Sequence, residues 1–424
     1  MISVDEAIEL IAQNVYRLPA TALPLTAAAG KVLASDIHAT ADMPAWPQAA
    51  MDGYAFAWGE PVHDVVGTTG VAPQDAVGAA RRDTAGAASG AARDLLLSGE
   101  VPAGTVPAFP LLPGQAARIF TGAMLPTGAD TIVIQEKVTL TGNRVRFDDP
   151  ALRPGANVRP RGSEIPAGAL ALSMGTLLSP ASVGFLASLG LDHLPVTPHP
   201  RIGLVTTGNE LQTPGRPLGP GQVYESNSFA LRAALEQCGL RLDTHRLAPD
   251  DPAELRQIIR ETLDASDMLL LTGGVSVGAY DFVSAALAAC GVRPVFHKVR
   301  QRPGKPLYFG EAEGKPVFGL PGNPSSVLTC FYIYVLPAIE RMSGRPQSRV
   351  TRTRLPLEAG YRKAAGLTHF LKGAVGATGV TPLGAQESYR MSTYALANSL
   401  IRLPEEGTAF DAGDLVDVYL LPYL

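Results

Sequence analysis

From residue 201 onward, short apolar segments alternate with helical segments, and this alternation limits the fold more than any other feature of the chain. The apolar segments include 202–206 and Met268–Thr272, and a helical segment of 226–238 lies between them. Strands that alternate with helices form a mostly parallel sheet with helices on both faces, and ligands bind outside the carboxyl ends of its strands. This part of the chain is therefore predicted to be a doubly wound α/β domain.

Three loop strings with few bulky side chains follow or adjoin apolar segments of this domain. They are Thr-Gly-Gly-Val-Ser-Val-Gly (272–278), Arg-Pro-Gly-Lys-Pro (302–306) and Leu-Pro-Gly-Asn-Pro-Ser-Ser (320–326). Loops of this kind let backbone amides approach a phosphate or another oxyanion. If the three loops meet at one edge of the sheet, they predict a site for a phosphorylated or oxyanionic ligand.

The first string has two interpretations. Gly273, Gly274 and Ser276 form either a turn whose amides and hydroxyl face a phosphate or a pterin, or a plain tight turn between strand and helix. The spacing of a dinucleotide-binding fingerprint, Gly-x-Gly-x-x-Gly, is absent. The string by itself leaves both interpretations open.

The second string carries cations in a loop stiffened by proline. Arg300, Arg302 and Lys305 have no acidic neighbour between residues 297 and 310, and Pro303 and Pro306 flank the lysine. A doubly charged oxyanion needs converging donors, and proline lowers the entropy lost in ordering them. The alternative is a solvated surface loop, but the prolines favour a binding function.

The third string places two serines at the start of a helix. Capping explains one of Ser325 and Ser326, and the open amides there, after Pro321 and Asn323, also attract an anion. The two functions are compatible.

Carboxylates recur at three predicted strand ends of the same domain. They are Glu210, Asp250 or Asp251, and Asp281. Phosphate beside several carboxylates requires a divalent cation, most simply Mg²⁺. Helix capping is an alternative for Asp250 and Asp281, whereas Glu210 has no capping function and is the best metal-ligand candidate.

The rest of the chain predicts β-rich domains, which gives a multi-domain fold of class α/β plus β. Short strands are expected at 117–120, 131–140 and 144–147, and a closing β domain at 348–424. The tract 59–114 is rich in Ala, Gly, Pro and Val with little periodicity, and 81–90 is interpreted as a surface insertion. A helix is expected over 2–17 with Ser3 as its cap.

Charge and composition exclude several classes of protein. The formal net charge is −4 and 46% of the 424 residues are hydrophobic, so we expect a globular protein whose main partner is not nucleic acid. The acidic, amphipathic start is not a secretory signal, and no apolar run is long enough to span a membrane. The three cysteines (Cys238, Cys290 and Cys330) lack metal or disulfide spacing and are predicted to be packed thiols. A reducing cytoplasm fits these features.

Three shorter strings that precede the sheet domain complete an ordered set. Ala-Met-Asp-Gly-Tyr-Ala (50–55), Thr-Gly-Ala (121–123) and Arg-Gly-Ser-Glu (161–164) precede Thr-Gly-Asn-Glu-Leu (207–211), the three loops above and the segment 388–398. In this order the strings resemble the MoeA/gephyrin E-domain family, the molybdopterin molybdenumtransferases. Single strings are weakly specific, but the ordered set is highly specific and covers nearly the whole chain.

The resemblance implies an L-shaped protein of four domains that works as a homodimer. These would be domain I (20–38 and 169–198, extended and dimerising), domain II (39–168, β-rich), domain III (1–19 and 199–347, MogA-like, molybdopterin-binding) and domain IV (348–424, β-barrel-like).

The resemblance also implies the reaction: adenylated molybdopterin and molybdate react with Mg²⁺ to give molybdenum cofactor and AMP. By position, the catalytic residues would be Asp52, Glu210, Asp281 and Lys305, and the metal ligands Glu164, Glu210, Asp250 and Asp281. Substrate would be held by Gly273, Gly274, Ser276, Arg302, Pro306, Asn323, Ser326 and Ser392, together with Thr121 and Gly122 from the β domain of the other subunit. The adenylyltransferase that supplies the substrate and molybdoenzyme assembly factors are further possible partners.

Several positions depart from the family pattern. Asn209 stands where an aspartate is usual, Ala279 where an acidic residue is frequent, and Leu367 where an arginine is frequent, with Lys372 as the nearest cation. Two alternatives therefore stay open: a molybdopterin adenylyltransferase, and a pterin-binding or scaffold protein without turnover.

Overall fold

The computed structural model describes residues 1–59, 92–274 and 282–422. The chain forms two compact units, one of Met1–Ser35 with Ser173–Leu424 and the other of Asp36–Leu172. The four domain boundaries implied by the resemblance stay a prediction. The α-helices are α1 (Val4–Asn14), α2 (Pro180–Ser188), α3 (Asn227–Gln237), α4 (Pro252–Ala265), α5 (Phe282–Ala289), α6 (Pro324–Cys330), α7 (Leu336–Met342) and α8 (Met391–Tyr394).

The strands are short and numerous. Up to residue 172 they are β1 (Thr21–Pro24), β2 (Val32–Leu33), β3 (Ile37–His38), β4 (Gln48–Ala49), β5 (Gly53–Phe56), β6 (Arg93–Val101), β7 (Gln115–Ile119), β8 (Thr131–Ile134), β9 (Val138–Thr141), β10 (Arg144–Phe147), β11 (Val158–Arg159) and β12 (Leu170–Leu172). The next ten are β13 (His193–Thr197), β14 (Ile202–Thr207), β15 (Leu211–Gln212), β16 (Val223–Tyr224), β17 (Thr244–Ala248), β18 (Met268–Thr272), β19 (Arg293–His297), β20 (Gln301–Arg302), β21 (Tyr308–Ala312) and β22 (Lys315–Leu320). The last seven are β23 (Thr351–Pro356), β24 (Tyr361–Arg362), β25 (Thr368–Val375), β26 (Val380–Pro382), β27 (Ser399–Leu403), β28 (Ala409–Phe410) and β29 (Leu415–Leu420).

The predicted doubly wound sheet is confirmed. Its six strands run in the order β17-β14-β18-β22-β21-β19. Strands β17, β14, β18 and β22 pair in parallel, and β21 and β19 pair antiparallel at one edge. Along β18, Met268 and Leu270 join one hydrophobic cluster, and Leu269 and Leu271 join the other. Because successive strand residues point to opposite faces, this unbroken apolar run buries both faces of the sheet.

The helices divide between the two faces. Residues of α1, α3, α6 and α7 lie in the first cluster, and residues of α4 and α5 lie in the second. Among the described residues, no helix is both long and apolar enough to cross a membrane.

Helix α1 begins as the sequence predicts and ends earlier. Ser3 Oγ accepts a hydrogen bond from the Glu6 amide (3.1 Å), and the Ser3 amide donates to Glu6 Oε2 (3.4 Å). This capping box confirms Ser3 as the cap. The helix ends at Asn14 because Val15 takes an extended conformation and is fully buried.

The unit Asp36–Leu172 contains the predicted β-rich region. Its main sheet has six strands in the order β8-β5-β7-β6-β10-β9. The strand predicted over 131–140 is interrupted by a 3-10 turn at Gln135–Lys137. The tract 59–114, which shows little periodicity, contains the nine-residue strand β6, because pairing with β7 and β10 stabilises a segment whose own pattern is weak. The predicted insertion at 81–90 lies outside the described residues.

The C-terminal sheet is built on the order β20-β25-β27-β29-β23, and β26 pairs with β25. Strand β20 comes from the sheet domain, and its residues pair in parallel with Thr368 and His369 of β25. The Arg-Pro-Gly-Lys-Pro loop therefore begins at a junction with the C-terminal sheet.

The three cysteines are free and buried, which confirms that they are packed thiols. Burial raises the pKa of the Cys238 thiol to about 11 and that of Cys330 to about 12.

Candidate active site

A cleft of about 920 Å³ lies where parallel strands of the sheet end, and we call it the edge cleft. Strands β14, β18 and β22 end at Thr207, Thr272 and Leu320, and residues that follow each of them line the cleft. Parallel strands end at the same edge of a sheet, so loops far apart in sequence meet there. The predicted site residues that line the cleft are Glu210, Gly273, Gly274, Arg302, Lys305, Pro306, Asn323 and Ser326.

The two glycines after β18 occupy positions that a larger residue would not fit. Gly273 has φ 87° and Gly274 has φ 62°, both in the left-handed region. A Cβ on Gly273 would lie 2.2 Å from the Thr207 carbonyl oxygen, and one on Gly274 would lie 2.5 Å from a methyl carbon of Val283. Close packing of the turn against β14 and α5 therefore requires both glycines, while one face of the turn still lines the cleft.

The cations of the second loop do not act together. Arg300 Nε lies 2.6 Å from Glu405 Oε1, and Arg300 Nη1 donates to the Met1 carbonyl (3.0 Å). The grouping of Arg300 with the other two cations is therefore wrong, because an acidic residue remote in sequence binds it. Arg302 and Lys305 are exposed, line the cleft and form no ion pair with any described residue.

The side chain of a buried glutamine, Gln301, binds the backbone of the Arg-Pro-Gly-Lys-Pro loop. Gln301 is fully buried, and its Nε2 donates to the carbonyls of Pro303 (3.1 Å) and Gly304 (3.3 Å). The Tyr334 hydroxyl donates to Gln301 Oε1. Tyr334 lies in the π-helical segment Phe331–Val335 between α6 and α7. The sequence analysis did not identify Gln301, since a single glutamine beside two cations carries no pattern.

The two serines of the third loop lie within the first turn of α6 and do not cap it. Helix α6 begins at Pro324, and the side chain of the N-cap residue Asn323 makes no capping hydrogen bond. Asn323 Nδ2 instead donates to Ser388 Oγ (2.8 Å). The proposed capping by a serine is therefore wrong, because proline takes the first helical position and moves the cap one residue earlier. Ser326 is buried, yet it is among the residues that line the cleft.

The carboxylates after β14 and β17 have different functions. Glu210 is exposed and lines the cleft. Asp250 Oδ2 accepts from the Asn209 amide, and Asn209 Oδ1 accepts from the Asp250 amide, both at 3.2 Å. Asp251 caps α4 by accepting from the amides of residues 253 and 254 (3.0 and 2.9 Å). The cap is therefore Asp251, and Asp250 lies beside the turn that holds Glu210.

Oxygen donors suited to Mg²⁺ are present but few. Within 1–59, 92–274 and 282–422, no group of three or more His, Cys, Asp or Glu residues is placed to hold a metal ion. Mg²⁺ is commonly held by one or two carboxylates together with substrate phosphates and water. An exposed Glu210 beside an anion-attracting cleft fits that mode of binding.

The C-terminal part of the same unit supplies a wall of the cleft. Gln386, Glu387, Ser388 and Tyr389 line the cleft, as does Leu367. Ser392, in α8, is exposed and does not line it. Of the string 388–398, Ser388 and Tyr389 therefore line the cleft, and the assignment of Ser392 to the substrate stays a prediction.

In the other unit, two predicted site residues contact each other. Asp52 Oδ1 accepts hydrogen bonds from the Thr121 amide (2.8 Å) and the Thr121 hydroxyl (2.7 Å). These two hydrogen bonds, from the hydroxyl and then from the amide, lower the pKa of Asp52. Gly122, the residue after Thr121, has φ 82°, which lies in the left-handed region. Glu164 is exposed in a turn whose amide donates to the Met43 carbonyl (2.9 Å).

Two predicted residues, Ser276 and Asp281, lie outside the described residues, as does the departure at Ala279.

Fold and cleft together define the class of the protein. It is a multi-domain α/β protein with an exposed carboxylate at the carboxyl edge of its sheet and, at the same edge, two cations that form no ion pair within the described part of the chain. Comparison with family models gives three matches in chain order. The MoeA N-terminal region (domain I and II) matches residues 2–190, a probable molybdopterin binding domain matches 203–341, and the MoeA C-terminal region (domain IV) matches 354–421.

Similar proteins with assigned names cover most or all of the chain. Molybdopterin molybdenumtransferase 2 of Mycobacterium tuberculosis is 33% identical over 426 residues, with 99% of each chain covered. The molybdopterin molybdenumtransferase of a Nostoc species is 38% identical over 323 residues, covering 76% of this chain and 69% of the relative. A crystal structure of the molybdopterin biosynthesis MoeA protein of Pyrococcus horikoshii OT3 has a TM-score of 0.75 at 26% identity, with 99% and 100% of the two chains covered. The chain belongs to the MoeA family of molybdopterin molybdenumtransferases and is an enzyme of that family.

Proposed function

We propose that the chain inserts molybdenum from molybdate into adenylated molybdopterin and that AMP leaves in a Mg²⁺-dependent step. The observation that carries the proposal is the edge cleft, in which Arg302 and Lys305 lie without an ion pair to any described residue and exposed Glu210 lies on the same lining. Cations without a protein partner attract oxyanions, and a carboxylate beside them suits a metal-bridged phosphate.

Each group has a proposed function. Lys305 and Arg302 bind the oxyanion, Arg302 with two donors in one plane and Lys305 as a point charge. Glu210 and Asp250 would hold Mg²⁺ together with Asp281, and Mg²⁺ neutralises negative charge on the phosphate oxygens when bound. Glu164, which belongs to the other unit, stays a ligand implied by the resemblance alone. The glycine turn and the residues Pro306, Asn323 and Ser326 position the pterin phosphate and the adenylate.

The displacement needs no covalent enzyme intermediate. None of the described residues proposed for the cleft is an activated serine or cysteine nucleophile, so we propose direct displacement by a water oxygen. The new P–O bond forms as the bridging P–O bond of the phosphoanhydride breaks, and AMP departs. The protein contributes positioning and electrostatic stabilisation of the charge on the departing AMP.

The deciding assay supplies purified protein with adenylated molybdopterin, molybdate and Mg²⁺ and measures AMP and molybdenum cofactor. We expect both products in equal amounts, and none without Mg²⁺. Binding of adenylated molybdopterin without AMP release would contradict the proposal and favour a scaffold function. Consumption of ATP with free molybdopterin would instead identify an adenylyltransferase.

We also propose a cytoplasmic homodimer in which Asp52, Thr121 and Gly122 of one subunit complete the site of the other. Subunits carrying Asp52→Asn and Lys305→Ala, co-expressed with different tags, test this. A heterodimer would contain one intact site and regain about half of wild-type activity, whereas each variant homodimer contains none. Heterodimers as inactive as both homodimers would show that the residues act within one chain. The upstream adenylyltransferase and molybdoenzyme assembly factors remain proposed partners.

A further inference from the structure

Lys372 is a buried lysine on β25, behind the C-terminal wall of the edge cleft. Its side chain belongs to the largest fully buried ones, with 2% of the residue exposed. It forms no ion pair with any described residue. A buried ammonium without a carboxylate is unfavourable unless its donors are satisfied in another way.

One loop satisfies all three donors. Lys372 Nζ donates to the carbonyls of Ala385 (2.8 Å), Glu387 (3.3 Å) and Arg390 (3.1 Å). A lysine has three N–H donors, so none is left over. The loop bends around the ammonium, and Ala385 takes φ 52°, a left-handed conformation that is uncommon for a residue with a Cβ.

The main chain of Lys372 binds the same loop a second time. Its carbonyl accepts from the Leu383 amide (2.9 Å) and from Gln386 Nε2 (2.9 Å), and its amide donates to Gln386 Oε1 (2.9 Å). Gln386 Nε2 also donates to the Leu383 carbonyl (2.7 Å). Both N–H groups of the Gln386 amide are therefore used within the protein.

The loop that Lys372 holds is the wall of the cleft. Residues 386–389 line the cleft, and the Ser388 carbonyl accepts from the amide of Ser325 in α6 (3.1 Å). In a trans peptide the C=O of one residue and the N–H of the next point in opposite directions. Because the Glu387 carbonyl points to the ammonium, the Ser388 N–H points away from it, and no described residue accepts a hydrogen bond from that N–H.

We propose that Lys372 is a positioning residue that fixes the wall of the edge cleft and presents the Ser388 amide to an anionic oxygen of the ligand. Lys372 itself touches no ligand, and it acts through Glu387, Ser388 and Tyr389. The kinetic test of this inference rests on the proposed function, because it uses adenylated molybdopterin as the substrate. The hydrogen-exchange test rests only on the structure of the loop.

The test compares Lys372→Met with a matched control, Arg402→Met. Methionine keeps the length and removes the donors. Arg402 is a cation of the neighbouring strand β27 with 11% of its side chain exposed, and it binds Asp5 of α1 and not the loop. Three quantities are measured for both variants and the wild type: hydrogen exchange of peptides covering 383–390, the affinity for AMP by calorimetry, and kcat and KM for adenylated molybdopterin.

For Lys372→Met we expect faster exchange confined to 383–390, roughly tenfold weaker binding of AMP, and a KM about tenfold higher with kcat changed by less than about threefold. Arg402→Met should lower the thermal unfolding midpoint and leave the loop exchange and KM within about twofold of wild type. If Lys372 only stabilised the fold, both variants would be less stable than wild type, and Lys372→Met would not show an effect confined to KM.

Unchanged loop exchange, or unchanged AMP affinity and KM in folded Lys372→Met, would overturn the inference. If that variant does not fold, Gln386→Leu takes its place, since it removes the second set of loop bonds without exposing a buried charge, and it must give the same result. If wild-type protein releases no AMP, the proposed function fails, while loop exchange and AMP binding still decide on Lys372.

Discussion

At the scale of single residues, the cations of the Arg-Pro-Gly-Lys-Pro loop differ in what surrounds them. Arg300 binds Glu405, whereas Arg302 and Lys305 line the cleft and form no ion pair with any described residue. An exposed, unpaired cation contributes little to stability. We therefore expect substitution of Arg302 or Lys305 to weaken ligand binding and to change the stability little.

Lys305→Ala should raise the molybdate concentration for half-maximal cofactor formation by about 10- to 100-fold, as expected for loss of a charged hydrogen bond. The thermal unfolding midpoint should stay near that of wild type, since an exposed change costs little. Arg256→Ala is the control, because Arg256 is an exposed cation of α4 that does not line the cleft. Equal molybdate requirements in the two variants would refute the assignment of Lys305.

Gly273→Ala tests the close approach of the turn to β14. Gly175 has nearly the same φ (86°, against 87° for Gly273), but no atom lies within 4 Å of where its Cβ would be. Both substitutions carry the cost of a left-handed alanine, and only Gly273→Ala adds a Cβ 2.2 Å from a carbonyl oxygen. We expect Gly273→Ala to lower the thermal unfolding midpoint further, by an amount that corresponds to about 1–3 kcal/mol. Equal thermal unfolding midpoints of the Gly273→Ala and Gly175→Ala variants would show that the turn shifts without cost to accommodate the added Cβ.

At the scale of elements, the ends of strands and helices decide the composition of the cleft. The carboxyl ends of β14, β18 and β22 bring three loops together, and β20 ties the cationic loop to β25. Adjacent residues at such an end have unrelated functions: Asp251 caps α4, and Asp250 binds the turn that precedes Glu210.

The pair Asp251→Ala and Asp250→Ala separates capping from metal binding. Asp251→Ala should destabilise the protein by about 1 kcal/mol through loss of the N-cap and leave the Mg²⁺ requirement unchanged. Asp250→Ala should raise the Mg²⁺ concentration for half-maximal AMP release with a smaller effect on unfolding. Thermal unfolding and Mg²⁺ titration of both variants check this, and a Mg²⁺ requirement that is unchanged in Asp250→Ala would remove Asp250 from the proposed ligands.

At the scale of the whole molecule, two histidines are held in the neutral form. Burial first, and then the charges of Lys31, Arg349 and Arg345, lower the pKa of His199 from 6.5 to about 4. Burial, followed by Lys363 and Arg302, likewise lowers the pKa of His369 to about 4. In the unfolded chain both regain an ordinary pKa of about 6.5.

Stability is therefore expected to fall as the pH falls from about 6.5 towards about 4, because in this window the unfolded chain binds more protons than the folded one. Above this pH window, the contribution of the two neutral histidines to the stability of the folded protein is fully present. His199→Gln should reduce the drop in the thermal unfolding midpoint across the window. His38→Gln, which changes an exposed histidine, should leave the drop as in wild type, and an identical drop in all three proteins would contradict the assignment.

The sequence by itself determined the doubly wound sheet, the capping box of α1 and the loops that line the cleft. Each depends on a local pattern: an apolar run in Met268–Thr272, a serine three residues before a glutamate, or glycine and proline at a strand end. Such patterns act through neighbouring residues, so they are visible without the fold. Glu210 and Lys305 were found in this way and now lie on one cleft.

Only the tertiary structure decided the partners of polar groups that are remote in sequence. Arg300 and Glu405 are 105 positions apart, and Asn323 and Ser388 are 65 positions apart. Which of them meet depends on how sheets pack, and no spacing along the chain encodes it. The same physical reason explains why Ser388 lines the cleft and Ser392 does not, and why the buried ammonium of Lys372 finds its acceptors within residues 385–390.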